Sequence, residues 1–129
     1  MENKNRIRSF TQLRVWQGAH SLVIDVYKTT KGFPIEERYG LASQMRRAVV
    51  SITSNIAEGF GRQGKKEKTQ FYYIAQGSNV ELQNQLLIAH DVSYIKKDKF
   101  DQLADKSISV AKQLNALIGS VKRNSKNSL

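Results

Sequence analysis

Apolar residues recur in four long segments of the chain with the three- and four-residue spacing of amphipathic α-helices. The predicted helices cover about residues 12–31, 35–58, 65–94 and 99–123. None of these segments alternates apolar and polar residues with the two-residue period of a strand. The pattern therefore predicts an all-α protein.

Each predicted helix carries an apolar stripe that marks its inner face. The first helix has two adjacent stripes, Leu13, Trp16, His20, Val23 and Tyr27 beside Val15, Ala19, Leu22 and Val26. The inner positions of the other three are Leu41, Met45, Ala48, Ile52 and Ile56; Phe71, Ala75, Ser78, Leu82, Gln85, Ala89 and Val92; and Phe100, Leu103, Ser107, Val110, Leu114, Leu117 and Val121. Short links make consecutive helices reverse direction. We therefore expect an up-down-up-down antiparallel four-helix bundle, a single domain over residues 1–129 with a basic arm at 1–11 and a polar tail at 124–129.

Residues with strong local preferences indicate where the helices end. Phe33-Pro34 stops the first helix, and the glycines of residues 59–64 end the second. Gly40 falls inside the predicted second helix, where glycine costs about 1 kcal/mol relative to alanine. Asp98 is a good N-cap for the fourth helix.

The excess of basic residues bears on which partners the protein binds. Twenty-one lysines and arginines oppose eleven acidic residues, and the net charge of +10 favours an anionic partner. A basic surface that only keeps the protein soluble accounts for the same excess. The chain has no cysteine, which excludes disulfides and thiolate metal sites, and no apolar run as long as a membrane span. We expect a cytoplasmic protein with no membrane partner.

Two features look like cofactor or metal chemistry but lack the context that such chemistry needs. Gly59, Gly61 and Gly64 match the G-x-G-x-x-G dinucleotide fingerprint, yet a predicted helix rather than a strand precedes them. We interpret this segment as a turn between helices. His20 and His90 lie on different helices, and neither has a carboxylate or a second histidine three or four residues away. We therefore expect no enzyme activity, no cofactor and no metal site.

Two clusters of basic residues lie at the same end of the predicted bundle. The arm and the first helix contribute Lys4, Arg6, Arg8 and Arg14, and the turn after the second helix contributes Arg62, Lys65, Lys66 and Lys68. Two helices separate the clusters, so both lie at the same end. Cations so placed bind phosphates without reading sequence. We predict a nucleic-acid interface there, and a preference for structured or duplex RNA because aromatic residues that stack single-stranded bases are scarce.

Polar residues beside the apolar stripes predict hydrogen bonds between the second and third helices. The candidates are Gln44, Arg47, Asn55 and Glu81. Equal steps from the intervening turn bring Glu81 opposite Ser43 and Gln44, with Arg47 one turn further. A carboxylate at the core edge needs such a partner, because a lone buried charge is costly.

Apolar residues beyond the inner faces predict self-association. The first helix carries two stripes, and Val49, Val50 and Phe60 lie off the inner face of the second. Packing in a four-helix bundle uses one stripe per helix, so another subunit should cover the remainder. Val50 belongs to an outer stripe with Arg47 and two serines, Ser43 and Ser54.

Several motifs point to one family. They are Phe10-x-x-Leu13-x-Val15-Trp16-Gln17, Phe33-Pro34, Glu37-x-Tyr39-Gly40-Leu41, Arg46-Arg47-Ala48, Asn55-Ile56-Ala57-Glu58-Gly59 and Gly77-Ser78-x-x-Glu81-Leu82. Over nearly its whole length the chain resembles the four-helix bundle proteins encoded within 23S rRNA intervening sequences, which also carry a ribosomal-protein label. That family is related to the accessory variability proteins of diversity-generating retroelements, which form pentameric barrels and work beside a reverse transcriptase and its RNA.

The resemblance implies a function that composition alone does not. It implies a homo-oligomer, with a pentamer favoured, that serves as a basic adaptor for RNA, a ribonucleoprotein or a nucleic-acid enzyme. The alternative is a structural or protein-interaction bundle with no nucleic-acid role.

Overall fold

The computed structural model describes residues 7–124, and these form four α-helices and no strand. The helices are α1 (Arg14–Thr30), α2 (Leu41–Phe60), α3 (Lys65–Asp91) and α4 (Lys97–Arg123), with short 3₁₀ turns at Phe10–Gln12 and Ile35–Glu37. The predicted all-α class is confirmed. Residues 1–6 of the predicted arm and 125–129 of the predicted tail lie outside the described part of the chain.

Consecutive helices run antiparallel, and each packs against two neighbours around one core. The α2–α3 contact is the most extensive, and it includes a hydrogen bond of 2.8 Å between the Ser51 and Ser78 hydroxyls. A salt bridge between Lys106 on α4 and Asp25 on α1 joins the last helix to the first. With a rise of 1.5 Å per residue, α2 is about 30 Å long and α3 and α4 are each about 40 Å long. The antiparallel four-helix bundle is confirmed.

Apolar side chains from all four helices form the core. They include Val15, Ala19, Leu22 and Val26 on α1, Met45, Ala48, Val49, Ile52 and Ile56 on α2, Tyr72, Ala75, Leu82, Leu86 and Ala89 on α3, and Leu103, Val110, Leu114, Leu117 and Val121 on α4. The predicted inner faces of α2 and α4 are therefore largely confirmed. Of the two stripes on α1, the one that begins at Val15 is buried, whereas His20 and Tyr27 of the other are exposed.

The buried face of α3 departs from the predicted stripe. Tyr72 and Asn79 are fully buried, whereas Phe71 and Ser78 are only half-buried and Val92 is exposed. The stripe was hard to locate because α3 buries polar residues as well as apolar ones, and these weaken the periodic signal.

The sequence pattern placed Gly40 inside the second helix, but in the structure it lies directly before α2. The Glu37 carboxylate caps α2 by accepting a hydrogen bond of 3.0 Å from the Leu41 backbone N–H. A Cβ at Gly40 would lie 2.6 Å from Glu37 Oε1, so glycine is what lets the carboxylate reach the helix. Glu37 also accepts a hydrogen bond of 2.7 Å from the hydroxyl of Tyr94, which lies in the α3–α4 connection. The bonds from Leu41 and Tyr94 lower the pKa of Glu37.

The α3–α4 connection also differs from expectation. α3 ends at Asp91 rather than near residue 94, because Ser93 adopts a left-handed φ of 68°. α4 begins at Lys97, so Asp98 lies in its first turn and is not the N-cap. An acidic residue in the first turn still interacts favourably with the helix dipole.

A buried polar pair fixes α3 against α4. The fully buried Asn79 amide donates to the Ser107 carbonyl at 2.9 Å and accepts the Ser107 hydroxyl at 2.7 Å. Gln83 donates to the same hydroxyl at 2.9 Å. All these groups are therefore paired, as buried polar atoms need to be.

Candidate nucleic-acid interface

One end of the bundle gathers the start of α1, the α2–α3 turn and the end of α4. Phe10 and Arg62 line a common open concavity of about 510 Å³ there. Cations with exposed or half-exposed side chains at this end, called the basic end below, are Arg8, Arg14, Arg62, Lys65, Lys66, Lys122 and Arg123. The last two were missed by the sequence argument, although antiparallel topology returns α4 to this end. Lys4 and Arg6 lie outside the described residues.

Lys68, predicted to bind phosphate, is instead a structural residue. Its side chain is 2% exposed, and its ammonium donates to the Gly59 and Phe60 carbonyls at 3.2 and 2.7 Å. Those carbonyls belong to the last turn of α2, where helix carbonyls lack partners within the helix. Burial lowers the pKa of the Lys68 ammonium. A phosphate on the surface does not reach this charge, so Lys68 is removed from the predicted set.

Arg62 is exposed but already holds acidic partners. Its guanidinium lies 3.2 Å from the Glu58 carboxylate and 4.0 Å from that of Glu67, and it covers the Phe71 ring at 4.9 Å from the ring centroid. These pairs are solvent-exposed and therefore weak. Arg62 still offers less free charge to a phosphate than Lys65 and Lys66.

Several cations of the basic end occupy positions that stability does not favour. Arg14 is the first residue of α1, and Lys65 and Lys66 are the first two of α3. The N-terminus of a helix carries partial positive charge, which repels cations by about 0.3–1 kcal/mol each. The backbone N–H groups at the start of α3 also receive no side-chain cap. An anion bound here would be attracted by the side chains and the helix ends together.

A second basic surface lies along the outside of α2. An open groove of about 720 Å³, called the arginine groove below, is lined by Tyr27, Arg38, Tyr39, Ser43, Arg46, Arg47, Val50, Ser51 and Ser54. The predicted outer stripe of α2 lines this groove. Arg38 and Tyr39 come from the α1–α2 connection, so the sequence pattern of α2 alone did not reveal them.

The predicted polar contacts between α2 and α3 are present in part. Gln44, Arg47 and Glu81 line a shared cleft of about 370 Å³, as the expected register requires. Glu81 is exposed rather than at the core edge, and its carboxylate accepts from Gln85 at 3.3 Å. Among residues 7–124 it forms no ion pair with Arg47. Water solvates an exposed carboxylate, so the predicted pairing is unnecessary.

Asn55 bonds within its own helix rather than across to α3. Its amide donates to the Ser51 carbonyl at 2.8 Å and to the Ser51 hydroxyl at 3.1 Å. The link to α3 is made by Ser51, which shares a hydrogen bond with Ser78. Asn55 therefore orients the residue that makes the interhelical contact.

The histidines of the described chain have aromatic neighbours. His20 stacks on Trp16 at 4.6 Å between centroids, and His90 lies 4.9 Å from the Phe100 ring. Within residues 7–124 no group of three or more histidine, aspartate or glutamate side chains is placed to hold a metal ion. No helix in that range is both long and apolar enough to cross a membrane.

Comparison with known families assigns the chain. The family model described as "23S rRNA-intervening sequence protein" matches residues 11–116. The chain belongs to this family. The match includes Arg14, Lys65, Lys66 and the whole arginine groove, but it ends before Lys122 and Arg123.

A solved structure shows the same fold. It is the crystal structure of a protein with unknown function from the S23 ribosomal protein family of Bacteroides thetaiotaomicron, 20% identical in sequence, with a TM-score of 0.76. The similarity covers 81% of this chain and 95% of that chain. A comparison with curated proteins found no match. At this identity the likeness shows the architecture alone.

Proposed function

We propose that this chain is a non-catalytic, oligomeric adaptor that binds RNA, free or within a ribonucleoprotein, through phosphates that contact the basic end. The observation that carries the proposal is the placement of Arg14, Lys65 and Lys66 at helix N-termini. These cations lower the stability of the helices that carry them, so a role outside folding accounts for their position. The relation to retroelement proteins rests on resemblance alone, and it adds a reverse transcriptase as a second partner to test.

Neutralising these three cations should weaken binding while stabilising the protein. The variant Arg14→Gln/Lys65→Gln/Lys66→Gln is titrated with a fluorescein-labelled RNA hairpin by fluorescence anisotropy at several salt concentrations. The slope of log Kd against log salt should fall by about two to three, because each duplex phosphate that a cation neutralises accounts for about 0.9 of the slope. The free energy of unfolding should rise by about 0.3–1 kcal/mol per site.

Two controls separate local placement from total charge. Lys96→Gln/Lys99→Gln/Lys112→Gln removes the same charge away from the basic end and should leave most of the salt slope. Lys68→Met should lower stability but not the slope, because that ammonium is buried against α2 carbonyls. If the wild type fails to bind the hairpin at low salt, or if the two triple variants behave alike, the basic end is not an RNA site.

Self-association is the second part of the proposal, and the apolar surface that supports it is only partly the one the sequence suggested. Val49 is fully buried and Phe60 half-buried within the subunit. Val50 is 37% exposed, and exposed apolar residues also lie on α1 and α4. The group that follows one helix face is on α3, on a surface called the α3 face below, which consists of Tyr73, Ile74, Val80, Leu87 and Ile88. Three of these recur every seven residues, the spacing by which one helix packs along another.

Charging the α3 face should dissociate the oligomer. Val80 and Leu87 are 62% and 51% exposed, so aspartate at both positions leaves the core intact. We expect light scattering to give a wild-type mass above that of the 14.7 kDa chain, and a mass near 14.7 kDa for Val80→Asp/Leu87→Asp. Ile108→Asp, on α4 and 47% exposed, is the matched control. A wild type that scatters as a monomer across micromolar concentrations would contradict the proposal. The pentamer rests on resemblance.

A structural or protein-interaction bundle without a nucleic-acid role is the second candidate. The α3 face favours it, because exposed apolar stripes mark contacts with other proteins. The absorbance spectrum of the purified protein separates the two candidates. Co-purified nucleic acid that high salt removes supports the adaptor, whereas an oligomer that binds no RNA at low salt supports the structural role.

A further inference from the structure

The arginine groove contains cationic side chains that the fold leaves without acidic partners. Arg38 and Arg47 are exposed, and their guanidinium groups form no ion pair or hydrogen bond within the described chain. No acidic side chain of residues 7–124 lines the groove, whose polar residues otherwise carry hydroxyl groups. A guanidinium presents a planar set of donors that matches the oxygens of a phosphate. Two unpaired guanidiniums in one groove therefore favour an anionic ligand.

The same groove offers flat surfaces beside those charges. The Arg46 guanidinium lies over the Tyr27 ring at 4.8 Å from its centroid, and hydrogen bonds to Thr30 at 2.9 Å and to the Tyr27 carbonyl at 3.5 Å hold it there. Tyr39 is 89% exposed, and its ring packs against little of its own chain. Unstacked nucleic-acid bases bind to aromatic rings and to guanidinium planes of this kind.

We infer that the arginine groove binds an unstacked nucleotide of a single-stranded RNA segment. Its phosphate contacts Arg38 and Arg47, and its base stacks on Tyr39 or on the Arg46–Tyr27 pair. This inference rests on the proposed RNA-binding function. It adds that the arginine groove binds single-stranded RNA. It differs from the expectation of structured RNA at the basic end, where aromatic rings are scarce.

The groove also continues towards the basic end. Ser54 lines both the arginine groove and the concavity that contains Phe10 and Arg62. The two surfaces therefore adjoin along α2, a helix about 30 Å long. A strand that leaves a duplex held at the basic end can follow α2 and place a nucleotide between Arg38 and Arg47.

Two variants, each with a matched control, test the stacking and the charge of the groove separately. Tyr39→Ala removes the ring, and Tyr39→Phe keeps it. Arg38→Gln/Arg47→Gln removes two charges, and Lys96→Gln/Lys112→Gln removes two exposed charges elsewhere. Each variant is titrated by anisotropy with a labelled single-stranded RNA of about ten nucleotides and with a duplex of the same length, because single-strand sites span about 4–16 nucleotides.

We expect Tyr39→Ala to weaken single-strand binding about tenfold, the usual scale of one missing base stack, and duplex binding less than twofold. Tyr39→Phe should bind like the wild type. Arg38→Gln/Arg47→Gln should lower the single-strand salt slope by about 0.7 for each phosphate that is no longer neutralised, and more than the lysine control does.

Other outcomes overturn the inference in distinguishable ways. If Tyr39→Ala and Arg38→Gln/Arg47→Gln bind single strands as the controls do, the groove is not a nucleotide site, although duplex binding at the basic end still stands. If light scattering shows that either groove variant changes the oligomer, the groove is a contact between subunits. If the wild type binds neither RNA at low salt, the proposed function and this inference both fail.

Discussion

Replacing Asn79 by alanine should lower the free energy of unfolding by about 2–4 kcal/mol, because the change removes buried hydrogen bonds and leaves a cavity. The Asn79 amide both donates to and accepts from Ser107, and neither side chain is exposed to water that could replace the missing partner. Urea denaturation monitored by circular dichroism measures the change. The α3–α4 contact should be the one that loosens, and amide hydrogen exchange in those helices detects this.

A control and a rescue make this prediction specific. Asn84→Ala, at an exposed position of the same helix, should change stability by less than about 0.5 kcal/mol. The double variant Asn79→Leu/Ser107→Ala should recover much of the stability, since it removes both members of the buried pair and leaves only the half-buried Gln83 amide, which water can reach, without its partner. If the double variant is as unstable as the sum of its parts, the pair is not a unit.

Gly59→Ala should destabilise the protein by about 2 kcal/mol, although alanine is the better helix former. A Cβ at this position would lie 2.5 Å from Cε1 and 2.9 Å from Cδ1 of the buried Tyr72 ring. Core packing leaves that ring little room to move, so the overpacking cost exceeds the gain of about 1 kcal/mol in helix propensity. The shift of the thermal unfolding midpoint measures the result.

The neighbouring Gly61 provides the matched control for that substitution. A Cβ at Gly61 would make ordinary contacts of 3.6 and 3.8 Å, and the residue has a φ of −76° that alanine adopts freely. Gly61→Ala should therefore be close to neutral. In the Gly59→Ala background, Tyr72→Leu should cost less than it does alone, because it removes the ring atoms that clash. Equal costs in both backgrounds would show that Tyr72 is not the cause.

The fold was predictable because three of the four helices carry a regular apolar stripe. α4 keeps its three- and four-residue alternation from Leu103 to Val121, and every predicted inner position in that range is buried. α3 was less predictable because Asn79 and Lys68 are buried polar residues, which a pattern of apolar positions cannot identify. Their burial depends on partners in other helices, Ser107 and the end of α2.

The candidate site was predictable in place but not in detail. Topology put the arm and the α2–α3 turn at one end, and the same topology brings Lys122 and Arg123 of α4 there. The sequence did not predict that Lys66 and Lys68 have different roles. The two residues are two positions apart and so point to opposite sides of α3, Lys66 to solvent and Lys68 to the core. The arginine groove was not predictable because Arg38 and Tyr39, which line it, belong to the α1–α2 connection. The apolar pattern of the second helix does not determine the path of that connection.

The hydrogen bonds of Glu37 make the environment of the arginine groove sensitive to acid. They lower the pKa of the carboxyl group below its ordinary value, so their stabilising effect is present at neutral pH. The effect is lost as the pH falls through that lowered pKa, because a protonated carboxyl group is a poorer acceptor for the Leu41 N–H and the Tyr94 hydroxyl. Arg38 and Tyr39 directly follow Glu37 in the chain. We therefore expect acidification to loosen the segment that carries two of the groove's residues, while the arginines keep their charge.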